Sequence, residues 1–166
     1  MKPAPIPVEK IRALEPTCLR KIIPEEHRDG NSHMNVRWYA TIFDEAADPL
    51  HDRLGLPETF HRDNGTGTMD LENHINYLHE VIPGECIAVF ARLVAQSAKR
   101  MHYVMFMVNE TRGNLAATFE CINTFVDLKA RKTAPFPAEV AAKLEAEVAA
   151  SSALDWQPPL CGAMTA

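Results

Sequence analysis

Cysteine is sparse in this chain of 166 residues, and Cys18, Cys86, Cys121 and Cys161 stand far apart with no Cys-x-x-Cys pair. This spacing argues against a zinc site. It leaves small buried thiols in a reducing compartment, with the cytoplasm as the expected location. Positive charge is also short, because 17 Lys and Arg face 22 Asp and Glu for a net charge of -5. Nucleic acid is therefore not an expected partner, since binding a phosphate backbone needs a concentrated positive field. No apolar run is long enough to span a bilayer, so no membrane partner is expected either. Met1 to Pro7 lacks the apolar core of a signal peptide, and its prolines would break an amphipathic targeting helix, so no export is expected. His27, His33, His74, His79 and His102 come without a His-x-x-x-His pair or a dense carboxylate cluster, which argues against a metal site.

What is present is ordinary globular material, 46% apolar and 23% charged, at the length of one domain. The expectation is a single domain over 1–166, with a core of about 17–137 and a C-terminal helix and tail over 138–166. The first fifteen residues are proline-rich and read as irregular. A short strand is expected over Thr17 to Ile23, closed by Pro24. Leu56 to Gly67 reads as a turn-rich loop. Four long strands are expected at about Thr68 to Val81, Glu85 to Ala95, Lys99 to Asn109 and Leu115 to Leu128, separated by turn signals such as Pro83-Gly84 and Arg112-Gly113-Asn114. Pro135 to Ala150 carries helix formers and an alanine-rich face.

The stretch with the most chemistry is Asp29-Gly30-Asn31-Ser32-His33-Met34-Asn35. Behind it, Tyr39, Phe43, Ala46, Ala47 and Leu50 recur at helical spacing, Asn35 is a good N-cap, and a break is expected at Asp48-Pro49, with a second short helix running to Gly55. A carboxylate and an imidazole thus arrive together at a helix N-terminus, where unpaired N–H groups and the helix dipole favour an oxygen acquiring negative charge. Trp38 and Tyr39 read as core or interface residues. A helix followed by hairpin-linked strands argues for an α+β architecture, with an antiparallel sheet burying the helix. The sheet edges need protection, and pairing across a two-fold axis supplies it, so a homodimer is expected.

The Asp29 to Asn35 segment, followed by an aromatic-bearing helix, resembles the signature of hotdog-fold acyl-CoA thioesterases of the 4-hydroxybenzoyl-CoA thioesterase-like superfamily. The family's common form has an Asp four residues before the His of a Gly-His-Met/Val-Asn segment. Here Asp29 stands four before His33, and Ser32 takes the place of the usual glycine. Glu72 to Glu80 with Pro83-Gly84-Glu85, Lys99-Arg100-Met101-His102, and Ala116 to Glu120 ahead of Asp127 and Arg131 look closest to the betainyl-CoA thioesterase-type branch. The resemblance covers about Thr17 to Pro137. It implies a curved antiparallel sheet wrapped around a long central helix, homodimers or dimer-based tetramers, and active sites at the subunit interface. It implies no metal and no bound cofactor, with coenzyme A entering as part of an acyl-CoA substrate.

Thioester hydrolysis needs water activated by a base or a carboxylate that attacks, plus donors for the oxyanion. Asp29 fits either role, or is a turn aspartate. His33 orients the thioester, donates a hydrogen bond to the oxyanion or fixes Asp29 through the loop, or it is a structural residue tying the loop to the helix. Asn35 caps the helix and aims its N–H groups, while Asn31 contacts the acyl group or stabilises the turn. Glu72 and His74 share one face of their strand and offer a second acid/base pair, against a reading as cross-strand hydrogen bonding. Glu72 or Glu120 is a candidate to attract a cationic acyl group. Arg100, Arg131 and Lys132 are the candidate contacts for CoA phosphates, or solvated surface. Two alternatives to hydrolysis stand beside this reading. One is a hotdog dehydratase or hydratase with an imidazole base, and the other is a non-catalytic acyl-CoA-binding protein.

Overall fold

The computed structural model describes residues 6–166. Residues 1–5, the start of the stretch expected to be irregular, lie outside the described residues. The remainder of that stretch contains a short helix, α1 (Val8–Arg12), with Glu9 in its first turn, Lys10 and Arg12 in its last, and Ile11 buried. These charges complement the helix dipole, and the buried Ile11 anchors it. The other elements are β1 (Leu19–Ile22), α2 (Val36–Leu54), α3 (Glu58–Asn64), β2 (Thr66–Tyr77), β3 (Cys86–Gln96), β4 (Arg100–Asn109), β5 (Asn114–Asp127), β6 (Lys132–Thr133) and α4 (Ala138–Ser152).

Helix α2 departs from the expected break, running straight through Pro49. A proline in a helix interior removes one donor and crowds the preceding turn, costing about 3 kcal/mol. Against that cost stand Ala46, Leu50 and Leu54, which share one face and are all fully buried. The stop comes at Gly55 as expected. Its φ of +88° is the left-handed conformation that glycine adopts freely. Gly55 N–H bonds Asp52 O at 3.0 Å and Leu56 N–H bonds His51 O at 2.9 Å, the paired bonds of a Schellman motif. The turn-rich segment after it is also not a loop, because α3 forms between Pro57 and Gly65. Proline before a helix and a left-handed glycine after it are helix boundaries as much as turn signals, and Asp63-Asn64-Gly65 is the end of this helix.

The sheet has the order β1-β3-β4-β5-β2, with β6 paired to β5. β1 runs antiparallel to β3, from Leu19 opposite Val89 to Ile22 opposite Cys86. The links between β3 and β4 and between β4 and β5 are too short for a crossover, so both are antiparallel hairpins. β2 and β5 are antiparallel too: Asn76 meets Thr118 while Leu78 meets Ala116. The class is α+β, as expected. Strands β4 and β5 are buried along almost their whole length, and β3 is buried from Ile87 to Leu93. β2 is the opposite: it forms an edge, and most of it is exposed.

The described residues form two compact units, and several elements contribute to both. The first comprises residues up to Ala47, Ile75–Ala91 and Met105–Phe119. In it Phe43 stacks on Phe119 with ring centroids 5.1 Å apart, and Trp38 stacks on His27 at 3.9 Å. The second comprises Asp48–His74, Arg92–Val104 and Glu120–Ala166. There Phe125 packs on Phe136, and the buried Arg92 guanidinium donates to Ser151 Oγ and to the carbonyls of Ser151 and Trp156. None of the four cysteines is in a disulfide, and Cys18 and Cys121 are buried. Among the described residues no helix is long and apolar enough to cross a membrane.

Candidate active site

The Asp29 segment folds as a tight turn clamped at both ends. Arg28 bridges to Met34, Asp29 N–H bonds His33 O at 2.9 Å, and Ser32 N–H bonds Asp29 O at 3.1 Å. Arg28 Nη1 donates to Ser32 O at 2.6 Å from outside the turn. To close it, Ser32 adopts a φ of +69°. A side chain in this left-handed region costs about 1–2 kcal/mol, which accounts physically for glycine at the same place in the related signature. The segment is then tied down by Asn35 N–H to His27 O at 2.9 Å and Met34 N–H to Val81 O at 2.7 Å. His27 is buried, and burial with the nearby Lys21 charge lowers its pKa below the usual histidine range despite neighbouring carboxylates.

Within this turn Asp29 Oδ1 accepts the N–H of Asn31 at 2.8 Å, and Oδ2 lies 3.4 Å from His33 Nδ1. Asn31 therefore serves the turn through its backbone, the role expected of an Asx turn. Asn35 caps α2, its Oδ1 accepting the Arg37 N–H at 3.1 Å while its carbonyl accepts the Trp38 N–H at 3.0 Å. The Val36 N–H, at the first helical position, has no acceptor inside the helix. Asp29, His33, Asn35 and Val36 all line one cleft of about 310 Å³, so the three expected catalytic residues are gathered together.

The cleft has walls that reading the sequence did not assign to it: Tyr39, Tyr77, Leu78, His79 and Glu80. The expected strand ran on to Val81, which made His79 and Glu80 alternate like strand residues. In the structure β2 ends at Tyr77, and the N–H groups of Leu78 and His79 both turn onto Ala116 O, at 2.8 and 3.1 Å. Behind the wall, Glu85 anchors the segment. Burial pushes its carboxyl up, but the Ile82 N–H, Arg112 and Asn109 together hold it below the usual range.

Other candidates lie elsewhere. Glu72 and His74 are exposed on β2, in the second unit, and do not line the cleft. Arg131 and Lys132 share a pocket of about 170 Å³ with Met69, Leu71 and Leu128, also within the second unit. Arg100 is exposed at the start of β4, where its N–H bonds Ser97 Oγ at 3.3 Å. Glu120 is closed off. Its Oε1 meets His102 Nε2 at 2.9 Å and its Oε2 accepts the Cys161 N–H at 2.7 Å, both side chains being buried. With both oxygens engaged and no opening to solvent, Glu120 has no surface for a cationic acyl group. A further pocket of about 430 Å³ in the second unit is lined by Asp48, His51, Asp52, Glu58 and His61. Burial lowers the pKa of both its histidines. Among the described residues no group of three or more His, Cys, Asp or Glu is arranged to hold a metal ion.

A family model described as the thioesterase-like superfamily matches residues 25–144, a span that includes the Asp29 turn, the helix behind it and the strands β2 to β5. The chain belongs to this superfamily. This thioesterase-like chain is 32% identical over 126 residues to the betainyl-CoA thioesterase of Pseudomonas aeruginosa, a match covering 76% of the chain and 79% of that protein. It is also 32% identical over 117 residues to the L-carnitine dehydrogenase/betainyl-CoA thioesterase of Rhizobium meliloti, covering 70% of the chain but only 23% of that longer protein. A Staphylococcus aureus protein solved in complex with CoA shares the fold, with a TM-score of 0.80 over 92% of this chain and 96% of its own, at 22% identity. The hotdog thioesterase family expected from the Asp29 motif is thus the family found.

Proposed function

We infer that the chain is an acyl-CoA thioesterase that hydrolyses a small, betainyl-CoA-like thioester to the free acid and coenzyme A, with Asp29 as nucleophile or general base. The observation that carries this reading is the position of Asp29. One carboxylate oxygen is tied to the Asn31 N–H, and the other is left beside His33 in a cleft at the N-terminus of α2. In the hydrolysis a new bond forms between oxygen and the acyl carbon, the C–S bond breaks, and the sulfur leaves to take up a proton as the CoA thiol. As base, Asp29 takes the proton of an attacking water. As nucleophile, it forms an anhydride that water then opens. The Val36 N–H, in the positive field of the helix, donates to the oxyanion, and His33 orients the carbonyl. No resident metal or cofactor takes part, and coenzyme A enters as substrate.

The reading includes a homodimer or dimer-based tetramer. Its support is the edge strand β2, which leaves Met69 and Leu71 roughly half exposed and would otherwise stand open to unwanted pairing. Pairing β2 with a second copy would bring the partner subunit's Glu72 and His74 toward the substrate. Arg131 and Lys132, basic groups beside apolar Met69 and Leu71, suit the phosphates and pantetheine arm of CoA, with Arg100 as an outlying contact. A reducing, cytoplasmic setting fits the buried thiols of Cys18 and Cys121.

The test is thiol release from short, branched, aromatic and cationic acyl-CoAs. Wild type releases thiol from at least one of them, and Asp29→Asn lowers kcat/KM by roughly a thousandfold. Hydrolysis that survives Asp29→Asn would overturn the assignment.

A further inference from the structure

The cleft that holds Asp29 carries a second set of groups that hydrolysis itself does not use. Tyr39 and Tyr77 meet edge to face, with ring centroids 5.0 Å apart and planes at 86°, so the two rings form a right-angled corner. Tyr39 is held in the core, while Tyr77 leaves half its surface open. Glu80 adds a carboxylate to the same lining, with 53% of its side chain exposed. Arg112 Nη1 donates to one of its oxygens at a long 3.4 Å, while the Arg112 Nε is engaged by Glu85. No Lys or Arg is among the residues that line the cleft, whereas Asp29 and Glu80 both are.

A half-open tyrosine ring, braced at a right angle by a buried one and with carboxylates in the same lining, suits one kind of guest. The face of a tyrosine ring is the negative end of its quadrupole and attracts a cation lying over it. A quaternary ammonium has no N–H to donate, so hydrogen-bonding sites cannot select it. Ring faces and the field of nearby carboxylates can. A neutral acyl group of the same shape would gain only the apolar contact. We propose that Tyr77 and Glu80, with the buried Tyr39 bracing the Tyr77 ring, form a subsite for a quaternary ammonium group on the acyl chain, one methylene away from the thioester carbonyl that Asp29 addresses. This assignment rests on the thioesterase reading above and gives it a specificity determinant.

The test compares betainyl-CoA with its neutral isostere 3,3-dimethylbutanoyl-CoA, which has carbon in place of nitrogen, so that only the charge differs. Wild type prefers the cationic thioester in kcat/KM by at least about tenfold. Tyr77→Leu lowers that preference roughly five- to tenfold, Tyr77→Phe keeps it within about twofold because the ring face is retained, and Glu80→Gln lowers it about threefold. The ratio of the two substrates cancels any loss common to both, including a loss from misfolding. Equal rates on both thioesters in wild type would overturn the inference, as would a preference left intact in Tyr77→Leu and Glu80→Gln. Thiol release from other acyl-CoAs but from neither of these would overturn it and leave the thioesterase reading standing. Release from no acyl-CoA at all would overturn both.

Discussion

Two carboxylate–imidazole pairs among the described residues share the same chemistry in opposite surroundings. Glu120 and His102 sit 2.9 Å apart on neighbouring strands, with 2% and 5% of their side chains exposed, and the second carboxylate oxygen is occupied by the Cys161 N–H. Asp29 and His33 sit 3.4 Å apart across a turn, with 15% and 34% exposed, and only one carboxylate oxygen has a hydrogen bond from the backbone. Burial with both carboxylate oxygens engaged makes a polar pair part of the architecture, because losing one partner strands the other away from water. An open pair on a strained turn contributes little to folding and keeps an oxygen for a substrate. Residue type alone does not separate the two roles; surroundings do.

Removing one acid from each pair breaks the symmetry most sharply. Glu120→Ala is expected to cost about 3 kcal/mol of unfolding free energy, because His102 and the Cys161 N–H lose their buried acceptor. Asp29→Ala should cost less than about 1 kcal/mol while abolishing thiol release. Urea titrations of the two variants decide the matter, and equal costs would defeat the contrast. A smaller effect of opposite sign is expected at the turn. Ser32→Gly relieves the left-handed strain at φ +69° and raises stability by about 1 kcal/mol in the same titration.

The subtlest effect is a slope. Burial leads the causes that lower the pKa values of His27, His51 and His61 below the ordinary 6.5. The unfolded chain therefore takes up protons on these imidazoles near pH 6.5, and the folded chain only at lower pH. Between those limits the unfolded state binds more protons, so stability falls as the pH drops through 6.5 and is fully present above it. Replacing His51 with Gln should flatten this acid limb in urea titrations run from pH 7 to pH 5. An unchanged slope would show that His51 titrates alike in both states.

Much of this was legible in the chain because the signals are local. The turn pairs Pro83-Gly84 and Arg112-Gly113-Asn114 bracket β3, β4 and β5 to within a residue or two of their observed ends. Asn35 before an apolar period marks the start of α2, and Gly55 its end. What escaped depends on tertiary burial. Ala46, Leu50 and Leu54 hold α2 together across Pro49, and no propensity at Asp48-Pro49 reveals that. The corner of Tyr39 and Tyr77 joins a helix to the end of a distant strand, and the sealing of Glu120 depends on a backbone N–H near the C-terminal end. Neither leaves a periodicity to read.

The stack of Trp38 on His27 has a spectroscopic consequence. The two rings lie 3.9 Å apart and nearly parallel, and the His27 carbonyl takes the N–H of Asn35, where the Asp29 turn meets α2. Contact with an imidazole changes the surroundings of the indole, so an opening of that turn is expected to change Trp38 emission. The only other tryptophan, Trp156, lies over the Arg92 guanidinium in the second unit and supplies a steady background. The stack thus places an unlabelled optical reporter next to the turn that carries Asp29.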